Sequence, residues 1–299
     1  MINILVTGAC GQLGNEMQLQ AVQNPHHRWF FTDVCPVDGG PSAVTPTVYS
    51  LDITDPAAVS SFVNQHEIDF IVNCAAYTAV DRAESEPEKA HLLNATAPGY
   101  LAEAIQRRGG QLIQLSTDYV FDGTSHVPYT EEQPTCPTSV YGRTKLIGEE
   151  TVLAANPSAM IIRTAWLYSR FGSNFVKTML RLGREKSDLG VIFDQIGTPT
   201  YARDLATAIM TMINNGIQPG LYNFTDEGVC SWYDFTKAIH RIAGITTCRV
   251  RPLHTAEYPT PATRPHYSVL DKTKIKDTYH LDIPYWEDSL RECLKEINS

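Results

Sequence analysis

Long apolar runs are missing from this 299-residue sequence: none reaches the roughly 18 residues that a membrane-spanning helix needs. Basic charge is scarce as well. Lys and Arg number 24 against 33 Asp and Glu, a formal charge of −9, which argues against a nucleic-acid backbone or an anionic membrane surface as partner. The seven cysteines, at 10, 35, 74, 136, 230, 248 and 293, form no CxxC pair and no Cys/His zinc spacing. Odd in number and dispersed, they read as reduced thiols rather than a disulfide framework. The opening MINILVTGACGQLG is too short an apolar run for a secretory signal, so a cytoplasmic location is expected. Internal repeats and low-complexity linkers are also missing. What remains, 43% hydrophobic and 19% charged residues, is ordinary globular usage with enough apolar material for a sizeable core.

The pattern that is present alternates strands with helices. Apolar runs at Ile2–Thr7, Trp29–Val34, Ile68–Ala75, Leu112–Ser116 and Ala159–Thr164 read as strands buried on both faces. Helical periodicity separates them near 13–22, 81–107 and 139–154. That rhythm predicts an α/β fold, a Rossmann-type doubly wound parallel sheet with helices on both faces. Past Trp166 the rhythm loosens into helical stretches near 173–184, 202–214, 231–242 and 287–297. The Pro-rich run 251–267 among them favours extended loops. The expected division is 1–166, with roughly 201–224, as the NAD(P)-binding part; roughly 167–200 and 225–299 form a smaller substrate-binding lobe.

Gly8, Gly11 and Gly14 stand as G-x-x-G-x-x-G between the first strand and the first helix. The first glycine permits the tight turn, the second lets backbone approach a pyrophosphate, and the third packs helix on strand. The helix N-terminus offers free N–H groups to the same anion. Asp33 ends the second strand about 20 residues on, where a carboxylate hydrogen-bonds an adenosine ribose and favours NADH over the 2′-phosphate of NADPH. No Lys or Arg follows in 34–38, and Asp38 adds a second negative charge. Asn73-Cys74-Ala75-Ala76 closes the next strand with small residues that permit a cofactor to approach. Asp55 reads as a helix N-cap.

Tyr141 and Lys145 form Y-x-x-x-K within the helix expected at 139–154. Residues i and i+4 share one helix face about 5–6 Å apart. An adjacent ammonium favours phenolate and is expected to lower the phenol's pKa from about 10 towards the working range. The phenol then protonates a carbonyl oxygen. Ser116 and Thr117, at the carboxyl end of a buried strand, can donate to the same oxygen. These features together predict a nicotinamide-dependent carbonyl reductase or alcohol dehydrogenase.

The glycine spacing resembles the extended short-chain dehydrogenase/reductase superfamily. STDYVFDG at 116–123, YGRTK at 141–145, GQLG at 11–14, NCAAYTAVDRAE at 73–84, RTAWLY at 163–168 and DQIGTPT at 194–200 narrow it. Over most of the chain these strings resemble the dTDP-4-dehydrorhamnose reductases. The resemblance implies reduction of the 4-keto group of dTDP-4-dehydro-6-deoxy-L-mannose to dTDP-L-rhamnose by NADPH, with NADH possible as a second reductant. It makes Tyr141 the acid, Lys145 its partner and Thr117 the group that polarises the carbonyl. It puts Asp118, Tyr119 and Trp166 at the sugar, and Gln12, Leu13, Asp33, Asp52, Ile53, Ala75, Ala76, Tyr77, Tyr141 and Lys145 with the glycines at the cofactor, the lysine also holding the nicotinamide ribose. Arg251 and Arg264 are either diphosphate partners or ordinary surface charges. Some relatives hold Mg²⁺ between subunits through three carboxylates. Glu16 and Glu296 match two of them, but Arg203 stands at the third and removes a ligand oxygen. No metal site is therefore expected, and a monomer or weak homodimer is. Two other readings stay open: a reductase of another nucleotide-linked 4-keto sugar, and a non-catalytic dinucleotide-binding regulatory subunit of the same fold.

Overall fold

The computed structural model describes residues 1–34 and 47–298; Cys35 and Asp38 lie outside them. Seven parallel strands form the central sheet: β1 (Asn3–Thr7), β2 (Arg28–Asp33), β3 (Val48–Ser50), β4 (Phe70–Asn73), β5 (Gln111–Thr117), β6 (Met160–Thr164) and, later in the chain, Gly220–Asn223. Their order is 3-2-1-4-5-6 with Gly220–Asn223 outermost beside β6. The order reverses between β1 and β4, which opens a crevice at the carboxyl ends of the strands. β1 itself is buried from Ile4 to Thr7, as its unbroken apolar run requires.

Helices cover both faces. On one lie α1 (Gln12–Gln23) and the helix Ala202–Asn215, with Leu13, Met17, Leu205 and Ile209 packed against Ile4 and Val6. On the other, α2 (Pro56–Gln65) and the helix Ala97–Gln106 bury Val59, Val63, Leu101 and Ile105 against Leu5 and Ile71. Asp55 caps α2 through the amides of Ala57 and Ala58 at 2.9 and 3.1 Å, as expected.

The helical stretch expected at 81–107 is not one helix. It divides into α3 (Val80–Ala83), α4 (Pro87–His91), a π-helical turn at Leu92–Thr96 and α5 (Ala97–Gln106). Pro87 sits in the first turn of α4, where its missing N–H costs no helix bond. The π turn lets Asn94 face the next helix, α6 (Val140–Ala155), whose Gly148 leaves no room for a Cβ against the Asn94 carbonyl. Asn94 also brackets Tyr77, accepting from its N–H at 2.8 Å and donating to its carbonyl at 3.1 Å.

Beyond β6 a separate apolar cluster forms around Tyr168, Val176, Leu180, Phe235, Trp286 and Leu290. It is built by α7 (Phe175–Glu185), α9 (Trp232–Ile242) and α11 (Trp286–Asn298), whereas α8 (Ala202–Asn215) and α10 (Thr273–Tyr279) pack with the sheet through Leu205, Ile275 and Tyr279. The opening of the Pro-rich run is not all loop. Arg249–Leu253 pairs in parallel with Asp188–Ile192, an edge position where Pro252 is tolerated. No helix of the described residues is long and apolar enough to cross a membrane.

Candidate active site

Three glycines shape the turn after β1, for different reasons. Gly8 has φ +64°, the left-handed region, and a Cβ there would stand 2.6 Å from the amide nitrogen of Ala75. At Gly14 a Cβ would collide with the Gly8 carbonyl and lie 2.6 Å from the Cα of Ala9. Gly11 is different: its φ is −77°, and a Cβ would meet only the Gly8 oxygen, at 3.2 Å. The packing of the protein therefore does not demand glycine at 11, which leaves the backbone there open to close approach. No side chain caps α1 at this end, so its first amides suit a diphosphate. The loop fits a dinucleotide.

Around this loop gather several of the expected cofactor residues. The Asp33 carboxylate accepts from the Cys10 N–H at 3.0 Å and from the Val34 N–H at 2.8 Å. Leu51, beside Asp52, donates its N–H to the Asp33 carbonyl at 3.0 Å. Asp52 is exposed and holds Thr54, while Ile53 is buried. Ala75 lies against Gly8, and Ala76 follows it. Tyr77 is further off, its phenol donating to Glu86 at 2.8 Å. Leu13 points into the core, and Gln12 bonds to Asn174 at 2.9 Å. Whatever these two contribute at the loop comes from their backbone.

The second group stands at the end of β5. Ser139 caps α6 through the Gly142 amide at 3.1 Å. Gly142 lets this helix press on the 3₁₀ turn Asp118–Val120, because a Cβ there would strike the Tyr119 carbonyl. Tyr119 and Tyr141 consequently meet edge to face, ring centroids 5.5 Å apart. The Thr117 hydroxyl lies beside the Tyr141 phenol and donates to Asp118 Oδ1 at 3.0 Å.

The electrostatics correct one expectation. Burial pushes the Tyr141 phenol up to about 12; the Thr117 hydrogen bond opposes this and the Asp118 charge adds to it. Lys145 does not offset the burial. Its ammonium donates to the Leu115 carbonyl at 2.6 Å, and burial brings its own pKa down to about 8, against the pull of Glu149. Sharing a helix face sets where two side chains start, but a buried ammonium turns to its nearest acceptor. Tyr141 therefore holds its proton at neutral pH, the state required of an acid. Asp118 is pushed up to about 6 by burial, against the Ser268 and Thr117 hydroxyls.

The far wall comes from distant segments. Trp166 has φ +50° and stacks on Trp232 with centroids 3.5 Å apart and planes 10° apart; Phe175 leans on Trp232 at 4.4 Å. A Cβ at Gly197 would be 2.8 Å from the Trp166 ring and 3.0 Å from the Ser268 hydroxyl. Trp232, Gly197 and Ser268 escaped the sequence analysis because no local spacing links them to Trp166 and Asp118. Arg264 binds Asp81 through both terminal nitrogens, at 3.0 and 2.8 Å, and Arg251 binds Asp188 at 2.8 Å. Both arginines thus have protein carboxylates as partners.

Glu16 and Glu296 do come together, with Arg203 between them. Its guanidinium bonds Glu296 through both terminal nitrogens and Glu16 at 3.3 Å through Nε, while Arg170 approaches Glu296 at 3.5 Å. Two carboxylates already facing two guanidinium groups do not fit a divalent cation. No other group of three or more His, Cys, Asp or Glu side chains could hold a metal ion among the described residues.

Comparison with known proteins agrees with this geometry. The family model for the RmlD substrate binding domain matches residues 2–299. A dTDP-4-dehydrorhamnose reductase from Clostridium acetobutylicum ATCC 824 superposes with a TM-score of 0.91 at 42% identity, covering 100% of both chains. The dTDP-4-dehydrorhamnose reductase of Bacillus anthracis str. Ames, solved in complex with NADP, superposes at 0.89 with 34% identity over 99% of each. A probable dTDP-4,6-dihydroxy-2-methyloxan-3-one 4-ketoreductase from Streptomyces antibioticus is 40% identical over 98% of this chain and 95% of its own.

Proposed function

Since the chain belongs to the RmlD substrate binding domain family, we propose that it reduces the 4-keto group of dTDP-4-dehydro-6-deoxy-L-mannose to give dTDP-L-rhamnose. It is an NAD(P)H-dependent oxidoreductase of the dTDP-4-dehydrorhamnose reductase type. The observation that carries the reading is the meeting of Thr117 and Tyr141 at the carboxyl end of β5, beside the sheet's crevice.

Gly8, Gly11 and Gly14, with Asp33, Asp52, Ile53, Ala75, Ala76 and Tyr77 around them, hold the dinucleotide; Gln12 and Leu13 add backbone amides. A reduced nicotinamide bound there supplies the hydride. Tyr141 carries the proton that the substrate oxygen takes up as it becomes a hydroxyl, and the Thr117 hydroxyl, rotating away from Asp118 Oδ1, donates a hydrogen bond to that oxygen. Lys145 supplies positive charge one helical turn away. Asp118, Tyr119 and Trp166 orient the sugar. In this reading 1–166, with 201–224, forms the cofactor part, and 167–200 with 225–299 forms the part that takes the dTDP-sugar. The protein works in the cytoplasm as a monomer or weak homodimer without metal, nucleic acid or membrane.

The test is NADPH consumption by purified protein given the dTDP-4-keto sugar and, separately, its epimers. Turnover of the named sugar with a rhamnose product is the expected result. Preferential turnover of a differently substituted dTDP-4-keto sugar, the kind of activity named for the Streptomyces relative, would move the assignment there. Excess EDTA should change neither turnover nor mass in solution.

A further inference from the structure

Beneath Tyr141 and Lys145 lies an ion pair that no step above uses. Glu149 continues their face of α6 by one more turn, at i+8 from the tyrosine and i+4 from the lysine. Its carboxylate accepts from the Ser116 hydroxyl and from Arg163, through Nε at 2.9 Å and a terminal nitrogen at 2.7 Å. Ser116 and Arg163 are in-register partners on β5 and β6, so two neighbouring strands grip one helix residue. Glu149 is 3% exposed, Arg163 4% and Lys145 3%.

Stability is a poor reason for such a pair. Buried ion pairs commonly cost as much in lost hydration as they return, and apolar replacements of similar size are often neutral. Its position is more telling. The lysine amine sits on the Leu115 carbonyl, one residue before Ser116, so amine and carboxylate are registered on consecutive residues of one strand.

We propose, resting on the function assigned above, that Glu149 is the positioning residue for Lys145: gripped by Ser116 and Arg163, it fixes the amine's face of α6 and supplies the negative charge that keeps the ammonium charged in a buried place. Other charged groups on the elements packed against α6 have partners of their own: Asp81 of α3 pairs with Arg264, and on α4 Lys89 pairs with Glu86 and His91 with the Thr96 hydroxyl. Glu84 from α3 caps the Val140 amide, and Glu86 ahead of α4 holds Arg82 and Tyr77. Glu103 of α5 pairs with Arg107. Asp118 and Tyr119, from the turn after β5, lie at the Tyr141 end. Arg163 from β6 lies on Glu149 and over the Phe121 ring at 5.0 Å. Burial lowers the Lys145 pKa, and Glu149 is the group that raises it.

The experiment follows Lys145 directly by NMR of protein carrying ¹³Cε-lysine, with the Lys145→Arg variant identifying the signal. In the unaltered protein the resonance should titrate near pH 8. In Glu149→Gln the midpoint should fall by about one pH unit or more, the scale of losing a nearby opposite charge. The alkaline limb of the kcat–pH profile should fall with it, and Glu149→Asp should restore most of both. Because Glu149→Gln strands the Arg163 charge, Glu149→Gln/Arg163→Met keeps the question open to measurement if the single variant does not fold. A lysine midpoint unchanged in either folded variant would overturn the proposal. Full turnover by Tyr141→Phe would overturn the assigned function instead, while the NMR midpoint would still decide the role of Glu149.

Discussion

The glycine loop and the aromatic wall are built in opposite ways. The loop is local: Gly8, Gly11 and Gly14 fall within seven residues, and two of them answer to backbone conformation or backbone contact. The wall is assembled from afar. Asp118, Trp166, Gly197, Trp232 and Ser268 come from five segments that only tertiary packing brings together. A site made by one turn of chain inherits its geometry from the backbone. A site made by distant side chains depends on the apolar cluster behind them.

The largest effect should come where the two halves meet. Tyr141→Phe should lower kcat by at least about 100-fold, the scale of a positioned acid, with NADPH affinity retained. Steady-state rates and a fluorescence titration of bound NADPH check the two parts. Substantial turnover by the variant would remove the phenol from the reaction.

Within the loop, Gly14→Ala and Gly11→Ala should separate fold from ligand. Gly14→Ala forces a methyl onto the Gly8 carbonyl and should cost about 3 kcal/mol in urea unfolding, or prevent folding. Gly11→Ala should cost under about 1 kcal/mol yet weaken NADPH binding. Equal losses of stability would erase the distinction drawn between these glycines.

On the wall side, Asp118→Asn should stabilise. The folded pKa of Asp118 is raised to about 6 from 3.8. Below pH 4 both states hold the proton, and the carboxyl contributes no pH-dependent penalty. Between 4 and 6 the folded state keeps a proton that the unfolded chain has released, so stability falls as pH rises. Above 6 the full penalty remains, and asparagine avoids it. The variant should therefore gain about 3 kcal/mol at pH 7.5 and nothing at pH 3.5, while losing activity. Chemical unfolding at the two pH values tests the difference.

The smallest effect concerns cofactor choice. Asp33→Asn should raise kcat/KM for NADPH over that for NADH by about tenfold, since one of two like charges near the ribose is removed. An unchanged ratio would mean that the carboxylate serves the Cys10 and Val34 amides rather than the ribose.

The same contrast governs how much could be read from sequence. Parallel strands buried on both faces announce themselves as apolar runs, so five of the sheet's seven strands and the order of the motifs were legible. β3 has three residues, too short for a pattern, and the edge strand Gly220–Asn223 opens on a glycine. Y-x-x-x-K was legible as a spacing. Its electrostatics were not, because the Leu115 carbonyl that takes the amine belongs to a strand 30 residues earlier. Arg203 was legible as a misfit among carboxylates, and the structure gives it the role of their counter-ion. Ser268 had no signal at all: a serine just past a Pro-rich stretch matters only once it lies beside Asp118.

Trp166 holds a backbone conformation in which glycine is the comfortable residue, at a strain of roughly 1–2 kcal/mol. A library screened for heat tolerance alone will find this position and enrich glycine or asparagine, which relax the turn. Those survivors will have lost the indole stacked on Trp232, and with it a flat surface set in place before any ligand arrives. Selection for stability and selection for catalysis will pull this one codon in opposite directions.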